Sequence, residues 1–183
     1  MDRETVFIGF GSNLGDRVDF CDRAVTLMGL LPNSRLVAVS SLYETEPVDD
    51  AGAPGDGWFL NGVVQIETNL TPQSLHTVCR EVEKSLGRDP ERRSGPRTMD
   101  LDVLFYRNWV VQDAGLTVPH PRLHLRRFVL EPLAELEPGF LHPVLKQTVA
   151  ALLARLDDAH RVRKLMPQPN TRYGSRPTCS VKI

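Results

Sequence analysis

The sequence predicts a single α+β domain with a ferredoxin-like βαββαβ core and extra helical segments after that core. One supporting observation is length, since a domain of 183 residues buries about two-thirds of its unfolded surface. A second is the order of apolar patterns up to Tyr106, which is strand, helix, strand, strand, helix, strand and is typical of the ferredoxin-like plan. A third is that neither a repeat nor a shift in composition indicates a second domain.

Local patterns predict the first three elements. Residues 5–10 are a short apolar run, predicted as a buried strand that leads into a Gly-Ser-Asn turn. A helix is predicted from about Asp16 to Met28, because its apolar residues recur at helical spacing. Residues 9–16 lack the Lys-Ser/Thr of a phosphate-binding loop, so we interpret them as a tight strand-to-helix turn. Residues 36–43 are apolar and β-branched and form the second predicted strand.

The second half of the core begins at residues 61–67, where side chains alternate as in a strand. Thr71 and Pro72 are typical of a helix start, with a capping hydroxyl followed by proline in the first turn. This helix is predicted to run to about Leu86. Residues 98–106 form the fourth predicted strand.

The chain after the core is expected to be helical first and basic at its end. Helical segments are predicted at residues 128–136 and 148–156. From His160 onward, six Lys and Arg residues and three prolines occur without any acidic residue. We therefore expect a functional domain over residues 1–160 and a basic tail over residues 161–183 that is a surface arm or partly disordered.

Charge and composition exclude several classes of function. The 22 Lys and Arg residues nearly balance 23 Asp and Glu residues, which gives a net charge of −1 and argues against a protein that coats nucleic acid. The apolar runs are far shorter than the ~20 residues that span a bilayer, and the charged N-terminus lacks an apolar signal segment. The cysteines match neither a disulfide framework nor a zinc site. We expect a cytoplasmic protein with no membrane or nucleic-acid partner.

The clearest candidate for chemistry is the acid pair Asp100 and Asp102 in the fourth predicted strand. Because side chains alternate along a strand, both carboxylates project from the same face. Two carboxylates so close favour a bound cation, and Mg²⁺ takes such oxygen ligands together with phosphate oxygens. The alternative is a pair of acids that face solvent on an edge strand.

A basic loop precedes the acid pair. Guanidinium groups bind phosphate in a bidentate manner, so such a loop beside a magnesium site suits phosphoryl transfer. The alternative is a solvated surface run in which arginines pair with Asp89 and Glu91. The arginines of this loop are Arg88, Arg92, Arg93 and Arg97.

Two weaker patterns complete the candidates. The basic turn at residues 117–128 could add phosphate ligands, although basic turns are common. Phe59 and Phe128, with the amide of Asn61, could clamp a flat heterocycle. Core packing is the alternative for both rings.

Residues 88–102 (R-D-P-E-R-R-S-G-P-R-T-M-D-L-D) closely resemble the signature of the 6-hydroxymethyl-7,8-dihydropterin pyrophosphokinase family. Other segments resemble motifs of that family in the same order: F-I-G-F-G-S-N-L-G at 7–15, S-S-L-Y-E-T-E-P at 40–47, F-L-N at 59–61 and T-V-P-H at 117–120. The resemblance covers roughly residues 5–157.

The resemblance implies transfer of the pyrophosphoryl group from ATP to the pterin hydroxymethyl oxygen, with AMP as the second product. It implies two Mg²⁺ ions between the triphosphate and Asp100 and Asp102, and a catalytic role for Arg88 and Arg97. The implied nucleotide contacts are Arg88, Arg97, Val103, Thr117, His120 and Arg126. The implied pterin contacts are Thr45, Pro47, Val48, Phe59, Asn61 and Phe128. ATP and the pterin would be the partners of a monomer or weak homodimer.

The sequence departs from the family pattern at Glu46, Pro90, Ser94 and Pro121. Two other functions stay open at this point. A ferredoxin-like module that binds RNA or a small molecule without catalysis would share the fold. A different magnesium-dependent nucleotidyl transferase would share the acid pair and would release pyrophosphate.

Overall fold

The computed structural model describes residues 3–47, 57–89, 91 and 95–165. The described strands are β1 (Glu4–Ser12), β2 (Ser34–Val39), β3 (Tyr43–Thr45), β4 (Phe59–Thr68), β5 (Asp100–Tyr106), β6 (Val111–Asp113), β7 (Leu116–Val118) and β8 (Val162–Lys164). The described helices are α1 (Arg17–Gly29), α2 (Pro72–Ser85), α3 (Arg127–Leu136) and α4 (Val149–Arg155), with a 3-10 turn at Leu123–Leu125.

The main sheet has the strand order β5-β1-β4-β3-β8, and β2 also pairs with β4. Every pairing in this sheet is antiparallel. β6 and β7 form a separate hairpin. The result is a mixed α/β fold with one central antiparallel sheet.

Helices cover both faces of the sheet, so its central strands are buried on both sides. On one face, α1 and α2 pack on side chains such as Ile8 and Leu101. On the other face, α3 and α4 pack on Phe7, Val63 and Phe105. The rings of Phe7 and Phe105 meet edge to face with centroids 6.4 Å apart, an arrangement that aromatic pairs prefer.

Side-chain caps fix the starts of three helices. The carboxylate of Asp16 accepts a hydrogen bond from Asp19 N at 3.0 Å, which begins α1. Thr71 and Thr148 cap α2 and α4 in the same way. The predicted starts of these helices are therefore confirmed, since each cap satisfies a backbone donor that the helix itself cannot pair.

The predicted strand at residues 36–43 is wrong as one continuous element, because β2 ends at Val39 and β3 begins at Tyr43. Ser40 causes the break. Its hydroxyl accepts from Val63 N at 2.9 Å, while its own N–H donates to Val63 O at 2.9 Å. The side chain thus replaces a ladder partner, and the backbone turns away from β4 before pairing again.

The sequence also did not predict β6, β7 or β8. β8 lies in the first residues of the predicted basic tail, and the tail from residue 166 onward is outside the described residues. Within the described ranges, no helix combines the length and apolar character needed to cross a bilayer.

Candidate active site

A cavity of about 270 Å³ opens on the sheet face that carries α3. Its walls come from β1, β4 and β5 and from the segments that follow β3, α2 and β7. Segments far apart in the chain therefore meet there. Among the residues predicted for the site, the cavity is lined by Thr45, Pro47, Phe59, Asn61, Arg88, Arg97, Asp100, Asp102, His120, Arg126 and Phe128.

The acid pair occupies one wall of this cavity. Asp100 and Asp102 are partly exposed, whereas Leu101 and Val103 between and after them are buried. This is the alternation that the period of a strand predicts. Both carboxylates consequently face the cavity, and their apolar neighbours face the α1 and α2 side.

Both predicted arginines pair with Asp100. Arg88 contacts Oδ1 of Asp100, and Arg97 contacts Oδ2. The two guanidinium side chains are only 15% and 25% exposed, so the surface-run alternative does not describe them. Arg92 and Arg93 lie outside the described residues.

Glu83 on α2 is a site residue that sequence reasoning missed. Its buried carboxylate accepts from Leu101 N at 2.7 Å and pairs with Arg88 and, at 3.0 Å, with Arg80. Burial raises the pKa of Glu83, although the Leu101 N–H and both guanidinium groups favour the charged form. Glu83 thereby joins α2, β5 and Arg88. One signal was present, because residues 75, 79 and 83 follow one helical stripe.

The turn after β1 holds the segment before β5 in place. Arg97 N donates to Asn13 Oδ1 at 2.7 Å, and Asn13 N donates to Arg97 O at 3.1 Å. Both residues line the cavity. The turn interpreted as a strand-to-helix connection therefore also positions Arg97.

Another part of the cavity wall is aromatic and carries a buried amide. Asn61 Nδ2 donates to Thr45 Oγ1 at 2.6 Å, a bond that crosses from β4 to β3 and fixes the amide. Phe59 and Phe128 line the same cavity, and we call these aromatic and amide residues its pterin end. The guanidinium carbon of Arg126 lies 5.4 Å from the Phe128 ring centroid, within range of a cation–π contact.

His120 is placed by an irregularity in β5. Leu104 is an extra residue on β5 where the register with β1 shifts, and its carbonyl accepts from His120 N at 3.0 Å. Burial lowers the pKa of His120, against the opposing effect of the Asp102 charge. Burial thus favours the neutral form of the imidazole. Arg122 of the basic turn at residues 117–128 also lines the cavity, and so does Arg80, which was not predicted.

Three predicted residues are not placed on this cavity. Val103 is a core residue on the other sheet face, 5% exposed, because it alternates with Asp102. Thr117 is exposed on β7, between two residues that point into the core. Val48 lies outside the described residues.

The side chains available as ligands limit which metal ion could bind in the cavity. Within the described ranges, no three or more His, Cys, Asp or Glu side chains form a cluster that could hold a metal ion. Asp100 and Asp102 provide only carboxylate oxygens. Such a set fits Mg²⁺, which is held through one or two carboxylates and takes its other ligands from water and substrate phosphates.

Paired carboxylates and several arginines around one cavity are typical of enzymes that transfer phosphate groups. Within that class, the chain belongs to the 7,8-dihydro-6-hydroxymethylpterin-pyrophosphokinase (HPPK) family, whose sequence model matches residues 7–138. The resemblance in the sequence is thereby confirmed.

Individual relatives agree with the family match. The chain is 43% identical over 151 residues to the 2-amino-4-hydroxy-6-hydroxymethyldihydropteridine pyrophosphokinase of Methylorubrum extorquens, which covers 82% of this chain and 92% of that protein. The enzyme of the same name from Bacillus subtilis is 43% identical over 130 residues, covering 71% of this chain and 76% of the relative.

Solved structures show the same fold at low sequence identity. Plasmodium falciparum HPPK-DHPS with pteroate superposes with a TM-score of 0.68 and 13% identity, over 85% of this chain and 45% of that chain. An HPPK-DHPS in complex with substrates gives a TM-score of 0.67 at 13% identity, over 84% and 43% of the two chains. This chain thus spans less than half of each solved chain.

Proposed function

We propose that this protein transfers the pyrophosphoryl group of ATP to 6-hydroxymethyl-7,8-dihydropterin, forming the pterin diphosphate and AMP in folate biosynthesis. The observation that carries the proposal is the cavity in which the acid pair, the arginines and the aromatic rings of the family motifs meet. In the reaction, the hydroxymethyl oxygen forms a bond to the β-phosphorus and loses its proton. The bond from that phosphorus to the oxygen shared with the α-phosphate breaks, and this oxygen leaves on AMP.

The basic end of the cavity would bind ATP. Arg88 and Arg97 are proposed to contact the phosphates and to stabilise the charge of the transferred group, because guanidinium forks match phosphate oxygens. His120 and Arg126 line the same cavity and are proposed as further nucleotide contacts. The proposals for Val103 and Thr117 have less support, since neither lies on the cavity wall in the described structure.

Asp100 and Asp102 are proposed to hold two Mg²⁺ ions together with the triphosphate. When bound, magnesium neutralises phosphate charge and orients the reacting group. Both carboxylates lie at the start of β5. Arg88 and Arg97 can leave Asp100 for the phosphates when another cation takes their place there.

The aromatic end would bind the pterin. Phe59 and Phe128 are proposed to contact the two faces of the ring system, and Asn61 to hydrogen-bond its edge. Support comes from the bond to Thr45, which fixes the Asn61 amide before any ligand arrives. Thr45, Pro47 and Val48 are proposed as the remaining contacts.

Several coarser expectations are also proposals. A ferredoxin-like topology is supported by the strand order, in which β1 and β4 are central, β5 lies beside β1, and β2 and β3 lie beside β4. From the sequence we propose a domain over residues 1–160 and a basic tail over residues 161–183. We also propose a cytoplasmic location, a monomer or weak homodimer, and the absence of nucleic-acid and membrane partners.

A nucleotide assay tests the function directly. Purified protein is incubated with MgATP, with and without 6-hydroxymethyl-7,8-dihydropterin, and the products are separated by ion exchange. We expect AMP only when the pterin and Mg²⁺ are both present. Release of ADP would indicate a simple kinase, pyrophosphate would indicate a nucleotidyl transferase, and no turnover by folded protein would favour a binding module.

Two variants test the acid pair in the same assay. Asp100→Ala and Asp102→Ala should each lower the turnover number at least about 100-fold, the scale of losing one electrostatic contact to a transition state. Circular dichroism should show an unchanged fold. Asp22→Ala, at an exposed position on α1, is the matched control. Turnover at the wild-type rate in either site variant would refute the magnesium assignment.

A further inference from the structure

The chain after α4 returns to the sheet beside the pterin end of the cavity. β8 pairs antiparallel with β3, with Val162 opposite Thr45. Leu165 N extends this contact by donating to Leu42 O at 2.8 Å. β3 therefore lies between β4 and β8, and a segment beyond the matched family region of residues 7–138 supports the strand that carries Thr45.

Arg161, just before β8, contacts two residues that lie far apart in sequence. Its N–H donates to Glu46 Oε2 at 3.2 Å, its guanidinium donates to Glu46 Oε1 at 3.3 Å, and its carbonyl accepts from Glu46 N at 3.0 Å. The guanidinium carbon also lies 4.9 Å from the ring centroid of Trp58, the geometry of a cation–π contact. One side chain thus links Glu46 to Trp58.

Glu46 lines the cavity itself, and Trp58 is the direct sequence neighbour of a lining residue. Glu46 stands between the lining residues Thr45 and Pro47, and Trp58 precedes Phe59. Because the backbone is continuous, a displacement of Glu46 or Trp58 moves these lining residues.

We propose that Arg161 is a positioning residue for pterin binding, which acts by holding Glu46 and Trp58 in fixed relation to each other. The inference rests on the proposed function for its substrate and on the described contacts for its geometry. Arg161 does not line the cavity that would hold the pterin. Its effect on the pterin is therefore indirect, through the two residues that it joins.

Arg163, two residues further along the chain on β8, offers a matched control. Its side chain is 71% exposed and pairs with Glu44, while that of Arg161 is 73% exposed and pairs with Glu46. Glu44 has a second partner, Arg17, at 3.3 Å. Removal of Arg163 therefore leaves Glu44 paired, whereas removal of Arg161 breaks the link between Glu46 and Trp58.

The first measurement compares Arg161→Ala with Arg163→Ala in the full chain. We expect Arg161→Ala to raise the Kd and the KM for 6-hydroxymethyl-7,8-dihydropterin about three- to tenfold, the combined scale of a cation–π contact and an exposed ion pair. The KM for ATP should change less than the KM for the pterin, because Glu46 and Trp58 adjoin the proposed pterin contacts Thr45, Pro47 and Phe59. Arg163→Ala should leave both values unchanged, and Arg161→Lys should restore part of the pterin affinity.

The second measurement tests the contact between Arg161 and Trp58 without any substrate. In a Trp109→Phe background, Trp58 is the remaining tryptophan, and its fluorescence quenching by acrylamide reports its exposure. Arg161→Ala should increase the quenching, while Arg163→Ala should not. This result does not depend on the enzyme having the proposed activity.

The results of the two measurements distinguish a failure of the positioning role of Arg161 from a failure of the proposed function. Unchanged pterin affinity in Arg161→Ala, an equal loss of ATP and pterin affinity, or an equal effect of Arg163→Ala would each overturn the positioning role. If the wild-type protein fails to turn over the pterin, the proposed function fails. Unchanged Trp58 quenching in Arg161→Ala would then overturn the positioning contact independently.

Discussion

At the scale of single residues, the pterin end of the cavity depends on a glycine, which has no side chain, as well as on the side chains that line the cavity. Gly11 on β1 lies opposite Asn61 on β4. A Cβ atom built on Gly11 would collide with Asn61 Oδ1. Glycine is therefore needed here for close approach of the amide rather than for an unusual backbone angle.

Gly11→Ala should consequently displace the Asn61 amide and weaken pterin binding. Overpacking of this kind costs about 1–3 kcal/mol, and the same free energy lost from pterin binding would lower the affinity roughly 5- to 140-fold. Titration calorimetry with the pterin measures the loss. Gly29→Ala is the control, because a Cβ at Gly29 would come no closer than 3.6 Å to the Leu36 side chain. Wild-type affinity in Gly11→Ala would show that Asn61 can move without consequence.

At the scale of elements, Glu135 ties α3 to the sheet. A carboxylate near the C-terminal end of a helix is unfavourable beside the negative end of the helix dipole. Glu135 is compensated by Ser41 N and Oγ at 3.2 and 2.9 Å, by Tyr43 Oη at 2.8 Å and by Lys164 Nζ at 3.3 Å. Burial raises the pKa of Glu135, but these donors outweigh it and the net shift is downward.

The lowered pKa of Glu135 predicts how the free energy of unfolding depends on pH. A carboxyl group whose pKa is lower in the folded state stabilises the protein above its unfolded pKa and loses that effect as the pH falls. Between about pH 6 and pH 3, the wild-type protein should therefore lose more free energy of unfolding than Glu135→Gln. Urea denaturation across this range measures the difference. Glu81→Gln, an exposed site on α2, should retain the wild-type dependence, and parallel curves for wild type and Glu135→Gln would contradict the prediction.

Elements with strong local signals were predictable from the sequence, and those formed by pairing alone were not. The spacing of apolar residues predicted α1, and the cap at Thr71 predicted the start of α2. The period of two along the strand predicted that both acids lie on one face. β8 has three residues in a basic stretch, too short for a periodic pattern. It forms because β3 offers an unpaired edge, which no local sequence signal reveals.

At the scale of the whole molecule, the site also contains residues that local sequence signals predict and residues that only the fold brings together. The motifs identified Arg88, Arg97 and the acid pair, since each motif carries its own chemistry. Glu83 and Arg161 were not predictable in this way, because their roles depend on partners brought together by the fold. Their polar character alone is typical of a solvated surface.

Truncation distinguishes the domain over residues 1–160 that is proposed from the sequence from one that also includes β8. A chain of residues 1–165 keeps β8 and its described pairing with β3. A chain of residues 1–160 lacks β8 and Arg161. It should bind the pterin more weakly and melt about 2–8 °C lower, the shift that 1–2 kcal/mol produces in a domain of this size. Equal melting temperatures for the two chains would instead place the functional boundary before β8.

The central position of β1 affects how the protein folds while the ribosome synthesises it. Val6 pairs with Ile66 on one side and with Tyr106 on the other, so β1 leaves the ribosome before either of its partner strands has been made. At about 5–20 residues per second, this apolar strand stays without its second neighbour for roughly 5–20 seconds. During that interval it is a natural target for chaperones or for self-association. The catalytic cavity, whose wall includes Phe128, can form only after most of the chain has been made.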